Sequence, residues 1–161
     1  MPVFACTEKV YSSRMGRFLK SGRIVILLQG RFAGKKAVIV KSFEEGSKTR
    51  PYPHAIVAGI ERHALKITGR MTQKKIAKRS RVKPFLKVVN FNHVLPTRYT
   101  LPQEIDAKKI VTDSQLETAE GKVEAKKAFK TLLQDKFANP PLDKGGKASK
   151  DFLFLKNKLR F

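Results

Sequence analysis

Cysteine, tryptophan, acidic side chains and long apolar runs are scarce or missing in this sequence of 161 residues. Cys6 is the only cysteine, so no disulfide can form within the chain and no cysteine-based zinc site exists, which fits a reducing compartment. No apolar run approaches the roughly 18 residues of a membrane span, and the first residues lack the charged-then-apolar order of a secretory signal. We therefore expect no membrane partner and no disulfide-stabilised fold.

The shortage of acidic residues leaves a large positive charge. The chain has 35 Lys and Arg against 13 Asp and Glu, a net charge of +22 and a pI near 10.4. Such a charge repels itself unless it is neutralised, so the composition predicts a polyanionic partner, RNA or DNA rather than an anionic membrane. Residues 61–98 hold 11 basic side chains and 1 acidic side chain, whereas residues 99–161 hold 13 and 9. The anion contact is therefore predicted ahead of Thr100.

Two apolar runs joined by a short basic loop, GRIVILLQGRFAGKKAVIVK at residues 22–41, predict a β-hairpin. Both runs are rich in β-branched residues, and Gly30 and Gly34 interrupt them at the join. Glycines allow a ligand to approach the backbone closely, and cations at the loop tip favour a polyanion. The cations expected at that tip are Arg31, Lys35 and Lys36.

Further strands are predicted after the hairpin. Residues 54–60, HAIVAGI, should form the third strand, residues 64–68 a fourth and residues 84–89 a fifth. Five short strands suit a small barrel, which closes on itself and leaves no exposed edge. The length allows one modest domain of this kind with appendages rather than two full domains.

A strongly basic insertion, GRMTQKKIAKRSRVK, occupies residues 69–83. Its few apolar residues are too little to bury a helix face alone, so a short helix over residues 72–80 would be ordered against RNA. A solvated loop or a nuclear-localisation patch would have a similar composition. Phosphate binding is favoured because Glu61 is the only acidic residue in the sequence of residues 61–98. The cations concerned are Lys74, Lys75, Lys78, Arg79, Arg81 and Lys83.

Aromatic, amide and cationic side chains are interleaved in residues 91–99, FNHVLPTRY. This mixture is typical of segments that stack on unpaired bases and hydrogen-bond to their edges. Phe91 and Leu95 have a plainer alternative, since both are apolar and would equally serve as core residues.

The last third of the chain predicts a helix followed by a short apolar tail. Ser114 and Glu117 have capping-box spacing, so a helix should begin there, and the Asn-Pro-Pro sequence at residues 139–141 should end it. We expect one stripe of this helix to pack on the barrel or on a protein neighbour rather than on nucleic acid. The tail, residues 152–161, is expected to be stable only when docked. The stripe comprises Leu116, Ala119, Val123, Phe129, Leu132, Leu133 and Phe137.

The residue pattern does not favour an enzyme. Gly30 and Gly34 are separated by three residues rather than the four of a phosphate-binding P-loop, and Lys36 stands where Ser or Thr would hold magnesium. The three histidines lack metal-ligand spacing, and acidic residues are absent where the basic ones concentrate. We therefore expect no catalysis, no cofactor and no metal.

The hairpin at residues 22–41 resembles the KOW motif of small SH3-like barrels in ribosomal proteins and transcription elongation factors. The segment KKIAKRSRVKPFLKVVNFNHVLPTRY, residues 74–99, closely resembles the eukaryotic-type family of large-subunit ribosomal protein twenty-seven, as do GRFAGKKAVIVK, RPYPHAIVAGIER and the final KLRF. This resemblance implies a mainly β protein with helical extensions, built on a KOW-containing SH3-like barrel that binds large-subunit rRNA without catalytic activity. The rRNA contacts or supports that it implies are Arg31, Lys35, Lys36, Lys74, Lys75, Lys78, Arg79, Arg81, Lys83, Lys87, Asn92, His93, Thr97, Arg98 and Tyr99.

The resulting organisation has three parts: an N-terminal extension at residues 1–14, the barrel with its basic insertion at residues 15–100, and a C-terminal helical extension and tail at residues 101–161. The extension is expected to dock through Phe4 and Tyr11 on a neighbouring protein or on exposed bases.

The resemblance implies a structural constituent of the large subunit of the cytosolic ribosome. Its expected partners are rRNA and neighbouring large-subunit ribosomal proteins, with no small-molecule substrate and no homo-oligomer. Its expected location is the cytoplasm, with nucleolar passage during assembly. The alternative is a KOW-type transcription-elongation or chromatin-associated factor that contacts nucleic acid or polymerase only transiently.

Overall fold

Five antiparallel strands form the centre of the computed structural model, which describes residues 18–102, 118–142 and 146–159. The strands are β1 (Arg23–Leu27), β2 (Lys36–Phe43), β3 (His54–Arg62), β4 (Lys83–Asn90) and β5 (Val94–Thr100). They lie in the order β4-β3-β2-β1-β5 across one open sheet, as in a small barrel-like domain. The predicted hairpin, the third strand and the strand over residues 84–89 are confirmed. The N-terminal extension and the capping box at Ser114 lie outside the described residues.

Both faces of the central strands are buried, which explains their nearly continuous apolar sequence. In β2, Val38 and Val40 belong to one apolar cluster and Ala37 and Ile39 to another, and all four are at most 2% exposed. Successive side chains of a strand point to opposite faces, so a strand with one wet face would alternate apolar with polar residues. Strands and their adjoining turns form the Ile39 cluster, whereas helices complete the Val38 cluster.

In the described ranges, three α-helices accompany the sheet: α1 (Gln73–Arg79), α2 (Ala119–Ala138) and α3 (Lys150–Lys156). The hydroxyl of Thr118 accepts a hydrogen bond from the Gly121 amide at 3.1 Å, which satisfies one free amide at the start of α2. Phe129 of α2 and Phe152 of α3 are at most 1% exposed and pack in the Val38 cluster. The predicted packing of the C-terminal helix on the sheet is therefore confirmed, and so is the mainly β class with helical extensions.

The buried side of α2 differs from the predicted stripe. Val123 is 48% exposed and Ala119 is also exposed, so their assignment to the stripe is wrong. A helix has about 3.6 residues per turn, so the residues four and eight positions before Phe129 lie on its buried side. These residues are Ala125 and Gly121, and Val123 lies on a different side. The buried positions of α2 are Gly121, Ala125, Phe129, Leu133 and Phe137.

The strand predicted over residues 64–68 is wrong. Leu65 and Ile67 are 55% and 44% exposed, and the segment has no regular secondary structure. The Leu65 amide donates to the Arg79 carbonyl at 2.9 Å, which ties the segment to the end of α1 rather than to the sheet. The fifth strand is instead β5, which pairs with β1. Most of β5 lies in the segment of residues 91–99 that was predicted to stack on bases. Pro96 has no amide hydrogen but is tolerated because β5 lies at the edge of the sheet.

Candidate nucleic-acid interface

Helix α1 presents its basic side chains to solvent. None of its seven residues is buried, and its first turn has no acidic residue. Lys74 and Lys78 are four residues apart and Lys75 and Lys78 three apart, so helical periodicity makes them neighbours on one side. Thr72 occupies the N-cap position without a capping side-chain hydrogen bond. The predicted short helix is confirmed, but it has neither the buried face nor the cap that stabilise helices of this length in water.

Two predicted cations of the basic insertion are already engaged by the protein. Arg79 donates from Nε to the Lys66 carbonyl at 3.0 Å, and the Nζ of Lys83 lies 2.9 Å from a carboxylate oxygen of Glu61. The second pair is largely exposed, so water screens it and it contributes little to stability. Within the described part of the chain, the predicted cations of the insertion that remain without such a partner are Lys74, Lys75, Lys78 and Arg81.

Backbone geometry and ring stacking fix the loop of the hairpin. Gly30 and Gly34 have φ values of 90° and 70°, a region in which side chains are strained. The ring of Phe32 stacks on that of Phe85, with centroids 3.9 Å apart and planes 5° from parallel. Phe85 in turn lies over Gly59, where an added Cβ would come within 2.4 Å of the ring. The loop is therefore held against β3 and β4.

Three predicted contacts surround this loop. Arg31 is exposed and Lys35 is half-buried. Lys87 of β4 places its Nζ 5.9 Å from the centroid of the Phe32 ring, and an added Cβ at Gly30 would meet that Nζ at 3.0 Å. The fold thus brings Lys87 to the same loop as the two hairpin cations.

Lys36 lies inside the protein rather than at the loop tip, so the predicted tip position is wrong. It is the first residue of β2 and is 3% exposed. Its ammonium donates to the carbonyls of Phe154 and Asn157, the latter at 2.7 Å, and lies 3.8 Å from the centroid of the Phe154 ring. Carbonyls at a helix end lack intrahelical partners and carry partial negative charge, so Lys36 caps the end of α3. Burial lowers the pKa of Lys36.

His63 holds the same end of α3 from another direction. Its Nδ1 donates to the Lys156 carbonyl at 3.0 Å, which requires the proton on Nδ1. Burial lowers the pKa of His63, the hydrogen bond to Lys156 opposes that effect, and the charge of Lys36 adds to it. Lys156 itself donates from Nζ to the Phe137 carbonyl at 2.9 Å, near the end of α2. The ends of both C-terminal helices are therefore tied together.

Several residues of the 91–99 segment support the fold. The Thr97 hydroxyl donates to a β1 carbonyl at 2.6 Å, and the Tyr99 ring stacks on Phe154 with centroids 4.2 Å apart. Arg98 is exposed, and its guanidinium donates to the Tyr99 hydroxyl at 3.1 Å, a hydrogen bond that raises the pKa of Arg98. One face of the Tyr99 ring is consequently occupied by the protein itself.

The remaining residues of this segment divide between core and surface. Phe91 is buried among the residues of the Ile39 cluster, so its core alternative is confirmed. Leu95 is exposed, so the core alternative is wrong for this residue. Asn92 is exposed and His93 is half-buried, and both lie in a short 3-10 turn between β4 and β5.

The described residues contain no group of three His, Cys, Asp or Glu side chains that could hold a metal ion. In the same ranges, no helix combines the length and apolarity that crossing a membrane requires. His54 is buried, and its Nδ1 lies 2.9 Å from the Tyr52 carbonyl, the geometry of a structural histidine.

A groove that the sequence analysis missed lies where residues 63–67 face the ends of α2 and α3. Its volume is about 670 Å³, and its walls include Ile67, Phe137 and Lys158. A second cavity of about 180 Å³ lies against the hairpin loop, and His63 and Lys158 line both cavities. Among the described residues, neither wall contains an acidic side chain. The sequence signals near this site included Phe137 in the predicted stripe, Lys35 and Lys36 in the predicted basic loop, and the resemblance of the final KLRF to a known family.

Comparison with known proteins identifies the family. A model of the Ribosomal L27e protein family matches residues 24–160. The large ribosomal subunit protein eL27 of Candida albicans is 52% identical over 122 residues, which cover 76% of this chain and 89% of that protein. The protein of the same name from Tetrahymena thermophila is 48% identical over 148 residues, which cover 91% of this chain and 100% of that protein. Large ribosomal subunit protein eL27B of Saccharomyces cerevisiae is 49% identical over 122 residues, 76% of this chain and 89% of that protein.

The family match begins at the second residue of β1 and spans the other four strands and the three helices described above. It favours the ribosomal hypothesis over the transcription-elongation alternative. The chain belongs to the ribosomal L27e protein family, which consists of structural ribosomal proteins and not of enzymes.

Proposed function

We propose that this protein is a structural constituent of the large subunit of the cytosolic ribosome and binds rRNA through a KOW-type SH3-like barrel and its basic extensions. The membership in a ribosomal family and the names of the relatives support the large-subunit role. The proposed mechanism is charge neutralisation combined with shape. Lysine and arginine side chains displace counterions from phosphates, and these contacts position the protein without reading sequence.

The exposure of α1 is the observation that most strongly supports rRNA binding. This helix buries none of its residues, and Lys74, Lys75 and Lys78 have no carboxylate partner among the described residues. Seven residues with no buried face lack the tertiary packing that provides most helix stability in proteins. Phosphate groups along one side of the helix would neutralise its cations and supply the missing contacts.

The hairpin loop and the 3-10 turn are proposed as further contacts with rRNA. Arg31 and Lys35 flank a loop that ring stacking holds in place, and Lys87 lies beside it. A loop that is fixed before binding loses less conformational entropy when it meets a rigid RNA surface. Asn92 and Arg98 are the exposed amide and cationic groups for hydrogen bonds to bases or phosphates.

Protein neighbours are proposed for exposed apolar side chains beside these contacts. Leu28 and Leu95 are exposed apolar residues where β1 and β5 pair, and such positions favour contact with another protein. Docking of the N-terminal extension through Phe4 and Tyr11 stays a prediction, since residues 1–14 lie outside the described ranges. The proposal further includes nucleolar passage during assembly, with no homo-oligomer.

Co-sedimentation tests the proposal. The epitope-tagged protein is expressed in eukaryotic cells, and extracts are fractionated on sucrose gradients after a high-salt wash. We expect the protein to remain with large subunits, because the surrounding rRNA and proteins of an assembled particle hold it even when salt weakens its phosphate contacts. Recovery mainly with polymerase or in the free pool would overturn the proposal and favour the elongation-factor alternative.

A further inference from the structure

We infer that the groove between residues 63–67 and the ends of α2 and α3 receives one unpaired nucleotide of rRNA. The base would enter the groove, and its phosphate would enter the adjoining cavity beside the hairpin loop. This inference rests on the proposed rRNA binding and assigns it a specific site. None of the residues predicted from the sequence to contact RNA lines the larger groove.

The lysine side chains around the small cavity favour an anion as its occupant. Its walls include Lys35, Lys36, Lys158 and the backbone at Gly34, and none of its lining residues within 18–102, 118–142 and 146–159 is acidic. Lys36 is engaged with the end of α3, which leaves Lys35 and Lys158 as cations without a carboxylate partner in the described ranges. The volume of about 180 Å³ is below the range of about 300–1,000 Å³ typical of small-molecule pockets, so it suits a phosphate rather than a nucleoside.

The larger groove has the composition that a base requires. Leu65, Ile67 and Phe137 line it together with polar groups of Gln134 and Asn157. A base has two apolar faces and a polar edge, so apolar walls contact its faces while amides hydrogen-bond to its edge. The volume of about 670 Å³ lies within the range of small-ligand sites. The large exposed fractions of Leu65 and Ile67 mean that this apolar surface is uncovered in the isolated chain.

The connection between the groove and α1 favours RNA over a protein segment as the occupant. The Leu65 amide donates to the Arg79 carbonyl at 2.9 Å, and Arg79 donates to the Lys66 carbonyl at 3.0 Å. Ser80, which caps the end of α1, also lines the groove. An RNA strand that follows the cations of α1 therefore arrives at the groove, and Lys66 adds a cation to its wall.

The groove is formed before any ligand binds. His63 is hydrogen-bonded to the Lys156 carbonyl, and Lys156 is hydrogen-bonded to the Phe137 carbonyl, so three wall residues hold one another. A pre-formed site avoids part of the entropy cost of ordering side chains when a base enters.

The experiment uses the full chain and two probes. One probe is a fluorescent single-stranded RNA of five adenylates, and the other is the same backbone without bases. Fluorescence anisotropy gives the affinity for each probe at several salt concentrations. The groove variants are Ile67→Ser and Lys158→Gln, and the matched controls are Val123→Ser and Lys127→Gln on the exposed side of α2. Unfolding midpoints establish that all four variants are folded.

We expect Ile67→Ser to weaken binding of the adenylate probe about tenfold, since the burial of an aliphatic side chain against a base is worth about that factor. The same variant should leave the base-free probe unchanged. Lys158→Gln should lower the slope of log affinity against log salt by about 0.7 on both probes, the value for one phosphate contact on a single strand. Both controls should match the unaltered protein.

Equal effects of Ile67→Ser on the two probes, or no effect on either, would overturn the nucleotide site. A groove variant that binds both probes normally but is lost from large subunits would show a protein neighbour in the groove instead. If the α1 cations prove necessary for rRNA binding while the groove variants match their controls, the proposed function stands and this inference fails. If the unaltered protein binds neither probe nor an rRNA fragment, both proposals fail.

Discussion

Helices α1 and α2 show two different sources of helix stability within one chain. Helix α2 buries a residue at nearly every fourth position, and Phe129 and Leu133 are fully enclosed by the sheet and α3. Helix α1 buries nothing and carries basic side chains on its surface. Burial of apolar surface is the dominant favourable term in folding, so α2 is stable in the isolated protein. Helix α1 lacks that term, and we propose that the phosphates of a polyanion stabilise it.

The same difference applies to single lysines. Lys36 is enclosed and caps the carbonyl end of α3, whereas Lys74 has only solvent around it. Lys36 therefore has a structural role, because backbone carbonyls surround its ammonium. We propose that the exposed lysines without a carboxylate partner have a binding role instead. The following predictions test that division.

The largest expected effect is on the packed helix. Phe129→Ala should lower the free energy of unfolding by about 3–5 kcal/mol, because it removes a buried ring and leaves a cavity. Val123→Ala in the same helix should change it by less than about 0.5 kcal/mol, since Val123 is exposed. Urea denaturation monitored by circular dichroism measures both. Equal losses for the two variants would contradict the assignment of the buried side of α2.

An intermediate effect is expected at the buried lysine. Lys36→Met keeps the aliphatic length but leaves the carbonyls of Phe154 and Asn157 without their donor. We expect a loss of about 1–3 kcal/mol, the typical cost of unsatisfied buried polar groups, and earlier proteolytic cleavage near α3. Lys35→Met is the control because Lys35 is adjacent in sequence but makes no such contact. If Lys35→Met destabilises the protein as much, the capping role of Lys36 is refuted.

The smallest expected effect is on the pH dependence of the free energy of unfolding, to which His63 contributes. Because burial lowers the pKa of His63 below its ordinary value of 6.5, the unfolded state binds more protons than the folded state between the two pKa values. The contribution of His63 to stability is therefore complete above pH 6.5 and is lost as the pH falls through that interval. Lys35, Lys36 and Lys158 are the charges that act on this ring.

The test replaces the ring but keeps the hydrogen bond. The amide of His63→Gln is able to donate to the Lys156 carbonyl as the ring does, yet it does not titrate. Urea denaturation at a series of pH values from 7.5 downward should show a shallower loss of stability on the acid side for the variant. Identical pH profiles for the two proteins would mean that His63 does not titrate differently in the folded state.

Local sequence patterns predict two kinds of element in this chain. They predict strands that are buried on both faces and turns whose backbone requires glycine. The apolar run that contains Val38 and Ile39 has no polar alternation, as expected of a strand enclosed on both faces. Gly30 and Gly34 mark the loop because both adopt positive φ. The short helix α1 was predicted from its uncompensated charge, as a segment ordered against RNA, and not from a local helix signal.

Features that depend on distant residues were not predictable in this way. Strand β5 contains Pro96 and lacks an apolar run, and it is a strand because it pairs with β1, far away in sequence. Lys36 and Lys35 are identical neighbours in a basic loop, and only the position of α3 makes one of them a cap. The groove likewise joins residues 63–67 to Lys158, so no local pattern identifies it.

The central claim is that the cations near α1 contact phosphates while those of α2 do not. The most direct measurement is the salt dependence of binding to a large-subunit rRNA fragment, comparing two variants that each lose four positive charges. The first variant carries Lys74→Gln, Lys75→Gln, Lys78→Gln and Arg81→Gln, all without intramolecular partners in the described ranges. The matched control carries Lys122→Gln, Lys126→Gln, Lys127→Gln and Lys130→Gln on α2.

For the first variant, we expect the slope of log affinity against log salt to fall in magnitude by about 3, since each phosphate contact contributes about 0.7–0.9. The α2 variant should keep the slope of the unaltered protein, and the free energy of unfolding should change little in either. An unchanged slope in the first variant, or an equal fall in both, would contradict the account, because α1 would then not be the phosphate-binding element.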